Sequence, residues 1–340
     1  MDDLRIGIAG LGRLGRVHAA NLAHKIPGAS LTAACVPTAA SQEYARQELG
    51  LKKVYSDFRE MISDPELDAV AIVSPSGEHC WQIEAALDAG RHVFAEKPLG
   101  VTVEQCRQAE AAAARHPELI CMLGFMRRYD ASYAYAKEKI RAGAIGTPYL
   151  VKATSLDPES AVEGAIRYSG TSGGIFLDSA IHDIDLMHWF LNSRAVEVHA
   201  MGCTFKHPAF KDSGDDETAA AMYRFENGAM GMVHIGRTAP YGYHIETEIV
   251  GTEGTIRISA VPEKNRAMIF DVYGARQECV ESFPERFAEA YLAEMEAFIR
   301  CVREGRRPDT CVEDGTYATR VGYAATEAWK TGKTVRILYE

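Results

Sequence analysis

The sequence predicts an α/β plus α+β protein with two domains. Residues 1–125 read as a doubly wound parallel sheet, and residues 126–340 as an open, mostly antiparallel sheet with helices. Three observations lead there. The 340 residues exceed the usual size of one domain. Short apolar runs alternate with helical periodicity through the first third of the chain, which implies parallel strands covered by helices on both faces. Beyond about residue 145, strand-like runs follow one another through tight turns, which implies antiparallel neighbours.

In the first part, Leu4–Ala9, Ser30–Val36, Ala69–Val73, His92–Ala95 and Leu119–Leu123 are short apolar runs flanked by polar or glycine punctuation, the pattern of buried strands. Arg13–His24, Ala39–Leu49, Gly77–Ala89 and Val103–Ala114 carry helical spacing between them, with Gly90 placed to end the third helix. In the second part, Tyr149–Thr154, Val196–Phe205, Glu217–Phe225, Ala229–Gly236, His244–Val250 and Thr255–Ser259 read as strands. Asn227-Gly228 is a strong hairpin signal, and the Gly251–Gly254 stretch is a second turn. One helix, Ile175–Leu191, interrupts the strands, and two more follow at Arg286–Arg303 and Glu313–Thr331, placed to return over the first domain.

Composition narrows the function. Hydrophobic residues make up 47% and charged residues 25%, the balance of a globular protein. Thirty-seven Lys and Arg against 47 Asp and Glu give a formal charge of −10, so bulk charge draws the chain to neither nucleic acid nor acidic membrane. No apolar run approaches the roughly 20 residues of a membrane span. The acidic opening reads as neither signal nor transit peptide, so a cytoplasmic protein is expected. None of the eight cysteines forms a C-x-x-C pair; they read as reduced, space-filling thiols, and no metal is expected.

Three motifs carry chemistry. Gly10-Leu11-Gly12-Arg13-Leu14-Gly15 is a G-x-G-x-x-G run, weak alone but here directly after a strand and opening a helix. Gly10 would allow a tight turn, Gly12 a close approach to pyrophosphate and Gly15 close packing, with the helix N-terminus facing the phosphates. About 20 residues on, an acid usually grips the adenosine ribose; Val36 occupies the end of that strand, and Arg13 is near enough in sequence to attract a 2′-phosphate. NAD and NADP both stay open on this count. Glu96-Lys97-Pro98 ends the fourth strand, where open parallel sheets place ligands, and the proline restricts the lysine's backbone. Asp178 and His182, at i and i+4 of the interrupting helix, would share a face as an acid–imidazole pair. A metal set with Asp183, Asp185 and His188 is the rival; at about 100° per residue His188 lies roughly 120° from His182, against one shared shell.

Together these segments resemble the glucose–fructose oxidoreductase/inositol dehydrogenase/MocA family. Gly173-Gly174 before Asp178 belongs to that family resemblance, and the run Gly124–Asp130, Tyr241-Gly242-Tyr243 and Glu248–Gly251 are most similar to inositol 2-dehydrogenases. The resemblance implies an N-terminal Rossmann domain, a C-terminal open sheet and a homotetramer assembled through sheet faces. It also implies oxidation of a ring hydroxyl of myo- or scyllo-inositol with NAD, or NADP. Lys97, Asp178 and His182 match the family's catalytic residues: His182 would take the hydroxyl proton, Asp178 would hold its ring and Lys97 would polarise the same oxygen or relay protons. Gly10, Gly12, Arg13, Leu14, Gly15, Val36, Ser74, His79, Glu96 and Lys97 form the implied cofactor set. Lys97, Arg127, Tyr129, Asp157, Asp178, His182 and Tyr243 form the implied substrate set.

Two positions depart from the family pattern. Val36 stands where Asp is frequent, which opens cofactor preference. Ser155-Leu156-Asp157-Pro158 lacks the basic residue often found before the acid in that loop, which opens substrate identity. Two other readings therefore stand beside inositol: a pyranose dehydrogenase or reductase of the same family, and a non-catalytic dinucleotide-binding sensor. Retention of Lys97, Asp178 and His182 together disfavours the sensor, which has no use for a proton relay.

Overall fold

The computed structural model describes residues 3–259, 262–265 and 267–339. In chain order the first strands and helices are β1 (Leu4–Ala9), α1 (Arg13–His24), β2 (Ala29–Cys35), α2 (Ala39–Gln47), β3 (Lys53–Tyr55), α3 (Phe58–Ile62), β4 (Ala69–Ile72), α4 (His79–Asp88), β5 (His92–Glu96), α5 (Val103–Arg115) and β6 (Cys121–Gly124). Then come α6 (Ala131–Arg141), β7 (Pro148–Pro158), α7 (Val162–Ser169), α8 (Ile175–Asp178), α9 (Ile181–Leu191), β8 (Ala195–Cys203), α10 (Ala209–Asp212), β9 (Thr218–Phe225), β10 (Met230–Ala239), β11 (His244–Gly251) and β12 (Thr255–Ile258). A small hairpin, β13 (Ile269–Asp271) and β14 (Gly274–Arg276), leads to α11 (Phe283–Arg286), α12 (Ala288–Glu304), α13 (Val312–Thr331) and β15 (Val335–Arg336). Two compact units result, Met1–Tyr129 with Glu289–Thr319, and Asp130–Ala288 with Arg320–Glu340. The first unit thus takes in residues 289–319, which the sequence reading assigned to the second domain while allowing those helices to return.

The first unit is built on a six-stranded parallel sheet in the order β3-β2-β1-β4-β5-β6. Its centre is dry because β1 and β4 are apolar on both faces: Ile6, Ile8 and all four β4 residues are fully buried. Strand order reverses between β1 and β4, which opens a crevice at their carboxyl ends. Gly90, at φ +74°, ends α4 as expected: its N–H donates to Leu87 O and that of Arg91 to Ala86 O, a Schellman arrangement. The sequence reading did not anticipate β3 or α3. A three-residue edge strand shows no period, and α3 is a five-residue helix capped by the Asp57 carboxylate, which accepts from Arg59 N and Glu60 N.

The second unit holds a seven-stranded sheet, β12-β11-β7-β10-β9-β8-β15, antiparallel throughout except for the β7–β10 pair. Gly228, at φ +85°, turns the β9–β10 hairpin where Asn227-Gly228 announced it. Along β9 the side chains alternate: Ala219, Ala221, Tyr223 and Phe225 are buried, while Ala220, Met222 and Arg224 face outward. The expected helix over 175–191 is two helices. The Ile175 carbonyl accepts both Ser179 N–H and Ala180 N–H, a widened turn that ends α8 at Asp178 and restarts the chain as α9. Asp178 and His182 therefore sit on two consecutive helices instead of one face of a single helix.

The loop between β8 and β9 hangs on one carboxylate. Glu217, 4% exposed, accepts from the backbone N–H groups of Phe205 (2.7 Å), Lys206 (2.9 Å) and His207 (2.8 Å). Burial alone would raise its pKa, but these three donors outweigh it and leave the group lowered. A depressed carboxylate stabilises the fold above the ordinary Glu value of about 4.3, and that contribution fades as pH falls through the lower folded value. Glu217→Gln should therefore cost about 1.5–3 kcal/mol at pH 7, the worth of hydrogen bonds to a charged group. Denaturant melts at pH 7 and below pH 4 check this: the gap between wild type and variant should close in acid.

Candidate active site

In the first unit, the loop after β1 is shaped by glycines. Gly10 has φ +93°, and a Cβ there would lie 2.5 Å from Val73 O; its N–H donates to Cys35 O. A Cβ on Gly15 would stand 2.2 Å from Gly10 O, so this helix turn closes only with glycine. Gly12 is the opposite case: nothing lies within 4 Å of its absent side chain, which leaves the backbone open to a ligand. Gly12 also caps α1, whose first turn carries no acid and no side-chain cap. An uncapped helix N-terminus behind an open glycine fits a dinucleotide pyrophosphate. Arg13 is exposed and Leu14 half-buried on the first turn.

Val36 follows β2, with its N–H donating to Tyr55 O and its carbonyl accepting from Gln42 Nε2. Its side chain is 1% exposed, in an apolar cluster with Leu11, Ala45 and Leu51. Residue 36 itself brings no carboxylate to the end of this strand. The next polar groups are Thr38, exposed and capping α2, and Ser41, whose hydroxyl accepts from Thr38 Oγ1 at 2.9 Å. Sequence reading overlooked Arg16, which donates from Nε to Leu11 O and stacks 4.1 Å over the Tyr44 ring. Its spacing of three from Arg13 on one helix was the available signal.

Further along the sheet, three of the expected cofactor residues tie loops together. Ser74 Oγ donates to Gln82 Oε1 at 2.6 Å. His79, 1% exposed, lies with Nδ1 2.8 Å from Pro98 O and Nε2 2.8 Å from Ser74 O. Burial lowers its pKa against these two backbone contacts, and a neutral ring donates to only one carbonyl at a time. Glu96, 4% exposed, meets His18 Nε2 at 2.7 Å with Oε1 and accepts from Lys97 N at 3.2 Å with Oε2. Lys97 is half-buried, and its peptide to Pro98 is cis. Arg127 is buried in the turn after β6. Tyr129 beside it shares a hydrogen bond with Thr310 Oγ1 at 3.0 Å, and burial raises its phenol.

The second unit contributes the other group of expected site residues. Asp178 Oδ2 lies 3.4 Å from Arg237 Nη2, and Arg237 Nη1 donates to Asp215 Oδ2 at 2.6 Å. Asp215 in turn accepts from Ile175 N, at the start of α8. Arg237 is 1% exposed and stands over the Phe210 ring at 5.1 Å. His182 is buried at the start of α9. Asp183 accepts from Ser155 Oγ at 2.6 Å and His188 Nδ1 meets Ser193 O at 2.7 Å; among the described residues, α9 groups form no metal-ligand set. Asp157 is half-buried in β7. Tyr243, 6% exposed, donates its N–H to Val280 O and packs edge-on to Phe287.

Arg237 and Asp215 escaped the sequence reading, because a lone arginine in a strand shows no pattern. Their weight is large, since removing one member of a buried ion pair strands the other charge. Arg237→Met should lower stability by about 3–5 kcal/mol, measured by denaturant unfolding. A loss below about 1 kcal/mol, the range of exposed ion pairs, would contradict the role given to this network.

Comparison with known proteins agrees in both units. Residues 4–125 match the oxidoreductase family with NAD-binding Rossmann fold, and residues 133–257 match the GFO/IDH/MocA C-terminal domain. The chain is 36% identical over 335 residues to scyllo-inositol 2-dehydrogenase (NAD(+)) of Bacillus subtilis, covering 98% of this chain and 96% of that one. It is 34% identical over 336 residues to myo-inositol 2-dehydrogenase of Thermotoga maritima, covering 98% of each. The crystal structure of scyllo-inositol dehydrogenase from Lactobacillus casei, with bound NAD(H) and scyllo-inositol, aligns with a TM-score of 0.96 at 41% identity over 99% of both chains. With its two halves matched in order over nearly the full length, the chain belongs to the GFO/IDH/MocA oxidoreductase family.

Proposed function

We propose that this protein is an NAD-dependent inositol 2-dehydrogenase, oxidising a ring hydroxyl of scyllo- or myo-inositol. The observation that carries this is the joint presence of an open, uncapped glycine loop and of Lys97, Asp178 and His182 in a chain matched end to end by such enzymes. A non-catalytic sensor needs the loop alone. NAD, when bound, supplies the acceptor of the carbon-bound hydride. His182 takes the proton of the reacting hydroxyl, and neutral imidazole suits that task near pH 7. Asp178, held by Arg237 Nη2 at 3.4 Å, is assigned to orient the His182 ring. Lys97 polarises the same oxygen as a compact, titratable cation. Arg127, Tyr129, Asp157 and Tyr243 are assigned to reading the orientation of the remaining hydroxyls.

The deciding assay follows reduced nicotinamide absorbance with scyllo-inositol, myo-inositol and a set of pyranoses, each with NAD and NADP. An inositol should give the highest kcat/KM. A pyranose giving the highest value would make this a sugar dehydrogenase, and tight NAD binding without any turnover would make it a sensor. With no acid at Val36 to repel a 2′-phosphate, NADP should support measurable turnover below that with NAD. Complete exclusion of NADP would show that another group guards the ribose. His182→Ala should lower kcat by about 10²–10⁴-fold while NAD affinity, read by calorimetry, holds. Lys97→Arg should stay impaired, because a guanidinium barely titrates.

We propose a homotetramer in which the outward face of the second sheet forms one of the interfaces. Met201, Met222, Met230 and Met232 are 68%, 54%, 44% and 38% exposed there, with Met222 directly opposite Met232 in the β9–β10 register. Four exposed methionines gathered on one sheet face, flanked by Arg224 and Lys152, suit an association surface, and a second copy presents the same face by two-fold symmetry. Sedimentation should give four chain masses, and Met222→Lys with Met232→Glu should reduce the assembly. A wild-type monomer would refute it. A cytoplasmic location accords with the cysteines, all free; no helix among the described residues is long and apolar enough to cross a membrane.

A further inference from the structure

We propose that His18 is a positioning residue that fixes Lys97 through the Glu96 carboxylate, within a buried cluster closed by Glu294. The inference rests on the reading of Lys97 as catalytic. Three observations support it. His18 is 0% exposed on α1, one turn beyond Gly15, wedged edge-on between Phe94 at 5.2 Å and Tyr291 at 5.6 Å. Its ring therefore has little freedom, and Nε2 meets Glu96 Oε1 at 2.7 Å. An Nε2–H donor on His18 would satisfy Glu96 Oε1 at that distance. The second Glu96 oxygen accepts the Lys97 backbone N–H at 3.2 Å. One carboxylate thus joins a rigid imidazole to the lysine's own main chain.

Glu294, on α12, explains why the carboxylate stays where it is. It is 0% exposed, its Oε1 lies 3.9 Å from His18 Nε2, and among the described residues neither of its oxygens has a hydrogen-bond partner. Burial first, then the charge of Glu96, push its pKa well above the usual carboxylate range. A neutral Glu294 leaves the His18 proton to Glu96; an ionised one would compete for it and repel its neighbour. The ligand atoms of His18, Glu96 and Glu294 all lie within 4.8 Å, spacing that would also suit a cation. The His18–Glu96 contact, at 2.7 Å, is a hydrogen-bond distance, and we read the cluster as a hydrogen-bonded brace. On the other side of Lys97, His79 meets the Pro98 carbonyl, so both neighbours of the lysine are held by histidines.

The test uses the full-length protein with His18→Phe, which keeps the ring contacts and loses the donor, and His18→Gln, whose amide N–H reaches about where Nε2 stands. Hydrogen–deuterium exchange at the Lys97 amide should quicken by at least about 10-fold in His18→Phe and recover in His18→Gln. In steady state, His18→Phe should lower kcat by about 10–100-fold, the usual cost of small misplacement, with inositol KM and NAD affinity within about 3-fold. His18→Gln should regain most of that loss. Lys97→Ala/His18→Phe should be no slower than Lys97→Ala, because one residue acts through the other. Unchanged Lys97 amide exchange in a folded His18→Phe would overturn the proposal, as would fully additive losses in the double variant. If Lys97→Ala itself keeps full kcat, the catalytic reading of Lys97 has failed instead, and amide exchange still decides whether His18 braces that backbone.

Discussion

Between Gly10 and Gly15 the chain closes so tightly that a methyl group on residue 15 would lie 2.2 Å from a backbone oxygen. Much of the first unit follows from that closure. It starts α1 directly after the central strand, leaves Gly12 as an uncovered edge and turns an uncapped helix end toward it. Because α1 begins there, His18 falls one turn later against Glu96, the last residue of β5. The glycine loop and the lysine segment are thereby linked through a buried hydrogen bond. A side chain at residue 15 would move both at once.

The second unit depends on a different constraint, a fully buried arginine. Arg237 faces two carboxylates, of which Asp215 is buried and also caps the start of α8. Pairing in a dry setting fixes geometry more firmly than a surface ion pair, since neither charge has water to return to. Asp178 ends α8 and so receives a defined orientation from β10, a strand far from it in sequence. The widened turn after Asp178 is tolerated because this anchoring replaces the continuity of a single helix.

The strands and helices with strong periods were legible in the sequence: β1 and α1 have the expected bounds, and the β9–β10 hairpin turns at Asn227-Gly228. The glycine loop was legible too, because strand, glycines and helix follow in fixed order. Short elements were not. β3 and α3 span too few residues for a period, and α6 is set by the Asp130 cap more than by an apolar stripe. The break at Ser179-Ala180 was hidden because its residues suit a helix and only hydrogen bonding distinguishes a widened turn. His18, Glu294, Asp215 and Arg237 were invisible for one shared reason. Each is polar in a segment whose pattern is satisfied without it, and each gains its meaning from a partner at least 22 residues away.

The central claim is that this chain removes a hydride from a ring carbon and a proton from its hydroxyl. The most direct measurement uses inositol deuterated at the reacting carbon, with NAD, followed by mass spectrometry of the recovered nicotinamide. The account predicts one deuterium in the reduced nicotinamide and a ketone product of matching amount. Reduced nicotinamide without deuterium, or unreduced NAD recovered after incubation with both labelled inositols, would contradict it.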